Sequence, residues 1–244
     1  MVVFSILKLV VLGVATLVAA PMVIVVALFD QRAAYRVCQL WAFINLLAFG
    51  VHVRARRLAP VDPGAAAVYM SNHRSQLDPL AVVAAVPEVQ LRWVAKKELA
   101  GIPVFGWALR RAGNIIIDRS DHAQAVASLR AARSQTDAGI SVIIFPEGTR
   151  APRDDVILPF KKGGFMLAIE LGLPIVPVAV LGSRTLLPKG SWHVRGGTID
   201  VVVGAPIPVA GMTREALMTA VRAFMLEQMG LPPEAAAPAT AEAM

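Results

Sequence analysis

Leu9 to Phe29 is a run of 21 residues without a charged side chain. A helix rising about 1.5 Å per residue over that run is about 30 Å long, the thickness of the hydrocarbon core of a bilayer. A cleaved signal peptide fits it poorly. The run is too long, and Pro21 follows the only suitable small-residue site, Ala19-Ala20. A second apolar stretch, Val37 to Val53, has 17 residues and contains Gln39, Asn45 and His52, so it is marginal as a span. Arg32 and Arg36 separate the two stretches, and Arg54, Arg56 and Arg57 follow the second. Two arrangements fit: one span followed by an interfacial helix, or a helical hairpin dipping into one leaflet. In either, the arginines after the second stretch favour the cytoplasmic side of an inner membrane for the rest of the chain. The alternative is a pair of buried core helices.

Apolar residues make up 56% of the 244, above the roughly 45–50% of soluble domains, and the excess is concentrated in these stretches. The formal charge is +7. A basic surface suits anionic lipid or phosphorylated substrates. The basic residues are spread along the chain without polybasic runs or stacking aromatics, so nucleic acid is not an expected partner. The single cysteine, Cys38, allows no internal disulfide and no Cys-based zinc site, and no metal site is expected.

From about residue 60 short apolar runs alternate with helical stretches. Ala65–Met70, Arg92–Ala95, Asn114–Ile117, Ser141–Phe145, Ile175–Leu181 and Thr198–Val203 read as strands buried on both faces. Helices are expected over Asp121–Asp137 with Ser120 as N-cap, over about Lys162–Leu171, and over Thr213–Met229, which Gly230-Leu231-Pro232-Pro233 stops. The alternation predicts an α/β fold: a mostly parallel central sheet flanked by helices, with an N-terminal membrane-associated helical segment. The expected division is 1–57 for the anchoring helices, 58–232 for the α/β domain and 233–244 for a disordered tail.

Ser71-Asn72-His73-Arg74-Ser75-Gln76-Leu77-Asp78-Pro79 follows a predicted strand, where active sites of parallel sheets gather. If a helix begins near Ser75, the Asp78 carboxylate lies beside the His73 imidazole. It then fixes one ring N–H and leaves the other nitrogen as a general base for an alcohol. The same pair also suits an ordinary loop histidine beside a helix cap. Phe145-Pro146-Glu147-Gly148-Thr149-Arg150 follows another strand. Gly148 permits close backbone approach, Thr149 supplies a hydroxyl, and Arg150 supplies a bidentate donor for phosphate. Glu147 is placed to hold that arginine or a substrate hydroxyl; a surface turn with a charged pair is the plain alternative. Asp118-Arg119 ends a third strand as a charged pair. Lys161-Lys162-Gly163-Gly164 starts a helix in a manner suited to phosphate or to a solvated turn. Leu173–Val178 reads as structural, its two prolines suiting an edge or an irregular strand entry.

These four segments, in this order, resemble the glycerolipid acyltransferases of the 1-acylglycerol-3-phosphate acyltransferase (PlsC-type) group. The NHxxxxD signature is Asn72–Asp78, the apolar-Asp-Arg motif is Ile117-Asp118-Arg119, FPEGTR is Phe145–Arg150, and the proline-containing strand is Leu173–Val178. The second motif departs slightly, with isoleucines where relatives often carry Phe. The resemblance covers roughly residues 65 to 205. It implies acyl transfer from acyl-CoA or acyl-carrier protein to the sn-2 hydroxyl of lysophosphatidic acid, without a cofactor and without an acyl-enzyme. It implies His73 as base and Asp78 as its orienting group. Arg119 and Arg150 would bind the glycerophosphate, and Glu147, Gly148 and Thr149 would shape that site. The rivals are a lyso-aminolipid acceptor, a membrane-anchored hydrolase using Ser71 or Ser75 with His73 and Asp78, and a noncatalytic lipid-binding protein. No G-x-S-x-G elbow supports the hydrolase.

Overall fold

The computed structural model describes residues 2–117 and 131–233. Asp118, Arg119, the Ser120 cap, the first part of the predicted 121–137 helix and residues 234–244 of the predicted tail lie outside the described residues.

All but the last three residues of the charge-free run lie in one helix, α1 (Val2–Val26), with Pro21 near its end; Ala27–Phe29 form the turn that follows. Asp30 then caps α2 (Gln31–Phe49) by accepting from the Arg32 N–H, and Gly50 closes α2 at φ 67°, a left-handed conformation that glycine adopts without strain. The second apolar stretch is therefore divided. Its helical part ends at Phe49, and Val51–Arg57, assigned above to the anchoring segment, forms strand β1. All seven β1 residues pair in parallel with β7 (Gly197–Val203), so the sheet begins at residue 51. The arginines that suggested membrane orientation also serve the fold. Arg54 pairs with Asp200, Arg57 with Glu88, and Arg56 donates to Gln228.

The remaining strands are β2 (Val68–Ser71), β3 (Leu91–Lys96), β4 (Ile115–Ile117), β5 (Ser141–Ile144) and β6 (Ile175–Leu181). The described sheet runs in the order β1-β7-β6-β2-β5-β3-β4. Every neighbouring pair is parallel except β6 with β7. The α/β architecture with a mostly parallel sheet is thus as expected. The fourth motif is not at an edge, however. β6 is interior, and Pro177 is tolerated because pairing with β7 starts one residue later, at Val178.

Strand residues alternate between two apolar layers. Tyr69, Ile143, Val176 and Val178 face α2 and α3 (Asp78–Ala85). Val68, Met70, Val142 and Ile144 face α6 (Gly163–Leu171) and α8 (Arg214–Gln228), whose Phe165, Ala168, Leu217, Val221 and Met225 are fully buried. Between these lie α4 (Lys97–Ala100), α5 (Phe105–Arg111), a helical stretch over 131–137, and α7 (Ser183–Leu186). Thr213 caps α8 by accepting from the Ala216 N–H, as its sequence position suggests.

The helix pair is not a core hairpin. α2 buries Tyr35, Ala42, Leu46 and Phe49 against the sheet, but Leu40, Phe43 and Leu47 are exposed. Within α1, Ser5–Val26 has a mean hydropathy of 2.8 and only 11% of its apolar window is buried. Ile6, Leu7, Val10, Val14, Leu17, Val18, Met22 and Val25 all face outward, a larger apolar surface than a soluble protein normally leaves open.

Candidate active site

β2 and β5 are adjacent parallel strands, with Met70 beside Ile144, so the chain leaves both at the same end of the sheet. That brings the first and third motifs together, although some seventy residues separate them. His73 lands against Phe145, the rings stacked with centroids 4.0 Å apart and planes 12° apart. Trp93 continues the stack on Phe145 at 5.5 Å.

Asp78 is the first residue of α3 and is wholly buried. Its Oδ2 accepts from three N–H groups: His73 Nδ1 at 2.8 Å, the Arg74 backbone at 2.6 Å and the Ser75 backbone at 2.7 Å. An ionised carboxylate can only accept, so Nδ1 is the protonated ring nitrogen and Nε2 carries the free lone pair. The His73 side chain is 19% exposed, enough for an alcohol to reach it. The helix begins three residues later than the motif suggested, and the intervening turn wraps around Asp78 Oδ2.

Glu147 does not hold Arg150. It is 2% exposed and accepts the His73 backbone N–H at 2.8 Å with Oε1 and the Leu158 N–H at 2.9 Å with Oε2. The Ala151 N–H donates to the His73 carbonyl at 2.8 Å, so the third motif and the residue after it grip both backbone groups of the histidine. Burial pushes the Glu147 carboxyl up to about 7, against the lowering influence of the two N–H donors and of Arg74. The segment after it is tied in as well: the Lys161 N–H donates to the Pro146 carbonyl at 2.8 Å. Gly148 turns the chain at φ 71°, where a side chain would be strained.

Asn72 binds β6 as a strand partner would: Nδ2 donates to the Val180 carbonyl at 2.8 Å and Oδ1 accepts the Val180 N–H at 2.7 Å. Arg74 is buried, donating to the Arg153 carbonyl and to Met229 Sδ at 3.5 Å, while burial lowers its pKa and Glu147, Asp154 and Asp78 favour its charge. The hydroxyls required by the hydrolase rival are engaged elsewhere. Ser71 donates to the Asn72 carbonyl and Ser75 to the Leu187 carbonyl, both within the buried interior.

Thr149 is exposed and Arg150 half-buried, and neither forms a hydrogen bond or ion pair with the described residues. Lys161 and Lys162 are exposed beside the start of α6. The structure therefore brings His73, Asp78, Glu147 and Gly148 into one cluster, with Thr149 and Arg150 continuing from it along the chain. The roles of Asn72, Phe145 and the Leu158 N–H went unassigned from sequence. Asn72 and Phe145 stand inside the quoted motifs, while nothing in the sequence around Leu158 marks it.

The acyltransferase family model matches residues 51–181. The chain belongs to the acyltransferase family. A family relative from Salmonella typhimurium, 1-acyl-sn-glycerol-3-phosphate acyltransferase, is 33% identical over 186 residues, covering 75% of this chain and 74% of its own. The chloroplastic 1-acyl-sn-glycerol-3-phosphate acyltransferase BAT2 of Brassica napus is 30% identical over 213 residues, 86% of this chain. The Limnanthes douglasii enzyme of the same name is 42% identical over 142 residues, 58% of this chain. This chain spans 60% of the length of the Brassica protein and 50% of the Limnanthes one. The acyltransferase-family fold is shared with the crystal structure of the 1-acyl-sn-glycerophosphate (LPA) acyltransferase PlsC from Thermotoga maritima. The two match with a TM-score of 0.77 over 94% of both chains at 24% identity.

Proposed function

We propose that the protein transfers a fatty acyl chain from a thioester donor, acyl-CoA or acyl-carrier protein, to the sn-2 hydroxyl of lysophosphatidic acid, giving phosphatidic acid. The observation that carries this reading is the His73–Asp78 pair, with Nδ1 anchored 2.8 Å from a buried carboxylate and Nε2 left as base. His73 Nε2 takes the proton of the acceptor hydroxyl as its oxygen attacks the thioester carbonyl. The tetrahedral intermediate collapses, the C–S bond breaks, and the thiolate takes the proton back from the imidazolium. No acyl-enzyme is needed, and neither Ser71 nor Ser75 has a hydroxyl directed to the site. Asp78 stabilises the imidazolium without itself taking the proton.

Arg150 binds the acceptor phosphate with its planar fork, and Arg119 is the second phosphate ligand on the strength of its motif. Thr149 and the Gly148 turn shape the same pocket. The names of the relatives from Salmonella typhimurium and Brassica napus support the phosphorylated acceptor over a lyso-aminolipid.

The membrane reading follows from α1. Ser5 hydrogen-bonds His193 at 2.8 Å, and Lys8 Nζ donates to the Phe49 and Val194 carbonyls, at one end of α1. At the other end Ala20 and Val23 pack on Ala108 and Ala112 at α5. These attachments lie about 25 Å apart along the axis at about 1.5 Å per residue. A helix held at both ends by one globular body cannot cross a bilayer that the body does not cross. α1 and α2 therefore lie in a single leaflet, and Arg32 and Arg36 between them favour the cytoplasmic leaflet of the inner membrane.

The direct test reconstitutes the full chain in liposomes with lysophosphatidic acid and labelled acyl-CoA or acyl-carrier protein. Labelled phosphatidic acid is expected. Free fatty acid alone would make the protein a hydrolase, and no product with either donor would remove the proposed activity.

A further inference from the structure

α5 carries a group of side chains that the acyl-transfer chemistry leaves unused. Trp107 is 64% exposed, and Leu99, Ile102 and Val104 just before it are exposed apolar residues as well. Arg110 and Arg111 follow in the last turn of the helix. Trp107, Arg110 and Arg111 meet Ile24 of α1 around a shallow concavity of about 270 Å³. Both arginines are exposed, and neither forms an ion pair with a described residue; Arg110 makes only a long bond, 3.5 Å, to the Ala100 carbonyl. Ala108 and Ala112, on the same short helix, pack with Ala20, Val23 and Ala34, so α5 is fixed against α1 and α2.

The concavity brings together the three chemistries that a bilayer presents between its core and its headgroups. The outward face of α1, with Met22 and Val25 exposed beside the concavity, matches acyl chains. An indole suits the boundary between hydrocarbon and headgroup, where its apolar body and polar N–H both find partners. Two guanidinium groups without a counter-ion among the described residues suit the phosphate layer. At the far end of α1 a second exposed tryptophan, Trp192, stands with Ser5, Ile6 and Leu9 around another concavity. Among the described residues no arginine lines that second concavity, so the charge-selective contact is placed at α5.

We propose that the concavity between α1 and α5 is a binding site for an anionic phospholipid headgroup, separate from the acceptor site. Arg110 and Arg111 take the phosphate, Trp107 sits at the headgroup boundary, and the acyl chains run along Ile24. The site rests on the one-leaflet reading of α1 and adds to it a preference for lipid charge and a fixed orientation of the domain.

The test measures binding of the full chain to vesicles of phosphatidylcholine and to vesicles of equal parts phosphatidylcholine and phosphatidylglycerol. The wild type should prefer the anionic vesicles. Arg110→Gln/Arg111→Gln should lose about 25-fold of that preference, at roughly fivefold per basic residue near an anionic surface, and should keep its phosphatidylcholine binding. High salt should erase the same increment from the wild type without any mutation, which guards against a misfolded variant. Glycerol phosphate, which competes at the acceptor site, should leave the preference intact. Bromine-labelled lipid should quench tryptophan fluorescence, and Trp107→Phe should remove part of that quenching. Equal binding of the wild type to both vesicles, or an unchanged preference in the double variant, would overturn the site while leaving the one-leaflet reading standing. Failure to bind either vesicle would overturn that underlying reading as well.

Discussion

The two ends of the FPEGTR segment differ sharply. At Glu147 both carboxylate oxygens are bonded to backbone N–H groups, one of them that of His73. Three residues later Arg150 has no hydrogen bond or ion pair among the described residues. The first end is built into the fold, and a change there is felt whether or not substrate is present. On the proposed reading the second end answers to a ligand, and a change there is felt only when the ligand carries the matching charge. Chemistry and recognition are thus separable within six residues, because backbone anchoring stops at the Gly148 turn and resumes at the Ala151 N–H.

The largest effect expected is at the base itself. His73→Ala should lower turnover by about 10²–10⁴-fold with donor binding little changed, since the acceptor hydroxyl loses its proposed base. Asp78→Asn should fall within the same range, because an amide placed beside Nδ1 no longer fixes the tautomer. Near-normal turnover in His73→Ala would remove the chemical half of the comparison.

Arg150→Ala should raise the acceptor KM by about 10–100-fold, in line with roughly 1.5–3 kcal/mol for a hydrogen bond to a charged group, with donor KM moving little. Lysine should restore part of the loss, as it keeps the charge without the fork. On a monoacylglycerol acceptor the same substitution should cost little. Equal impairment on both acceptors would show that Arg150 supports the fold or the donor, and the separation between the two ends would collapse.

Glu147→Gln should behave in the opposite way, with a deficit that needs no substrate to reveal it. One of the two N–H donors then faces an amide NH2, costing about 1–3 kcal/mol and lowering the melting temperature by about 2–4 °C per kcal/mol for a chain of this size. The pH dependence has a definite sign. The Glu147 carboxyl titrates at about 7 when folded, above its ordinary value of 4.5. Its contribution is therefore fully present below about 4.5 and is lost as pH rises through about 7. The stability gap between wild type and Glu147→Gln should narrow from pH 5 to pH 8, as thermal melts would record. A gap that widens over that interval would contradict the burial argument. The smallest effect is expected at Ser75→Ala, which leaves the Leu187 carbonyl short of its donor for about 1–2 kcal/mol while retaining most turnover. Abolished turnover with full stability would revive Ser75 as a nucleophile.

The sequence made some of this readable and hid the rest for physical reasons. Alternating apolar strands and helical stretches gave the α/β class, and the positions of His73 and Phe145–Arg150 after strands placed them at one end of a parallel sheet. β1 was hidden because its apolar start runs on from α2 and its Arg-Ala-Arg-Arg end resembles a membrane flank. Only pairing with β7, some 145 residues away, makes it a strand. The tasks of Glu147 and Asn72 were hidden similarly. Each binds backbone in another strand or loop, at separations of 74 and 108 residues, and spacing within a motif carries no information about such partners. The two prolines suggest an edge or an irregular strand entry, and only the pairing shows β6 to be interior, with Pro177 accommodated because pairing with β7 begins at Val178.

The attachment of α1 at Ser5 and Lys8 has a consequence for biosynthesis. Two of its three partners, His193 and Val194, lie 188 and 186 residues further along the chain, while Phe49 lies only 41 away. At about 5–20 residues per second, a ribosome takes roughly 10–40 s to deliver them. During that interval the most apolar helix of the protein has been made, and of the surface that receives its polar end only the Phe49 carbonyl has. β1 is in the same position, emerging long before β7. The helix must be sheltered throughout, and the leaflet proposed for it is the shelter closest to hand. The bilayer would then act first as a holding site for α1 and the catalytic domain would close onto a helix already in place.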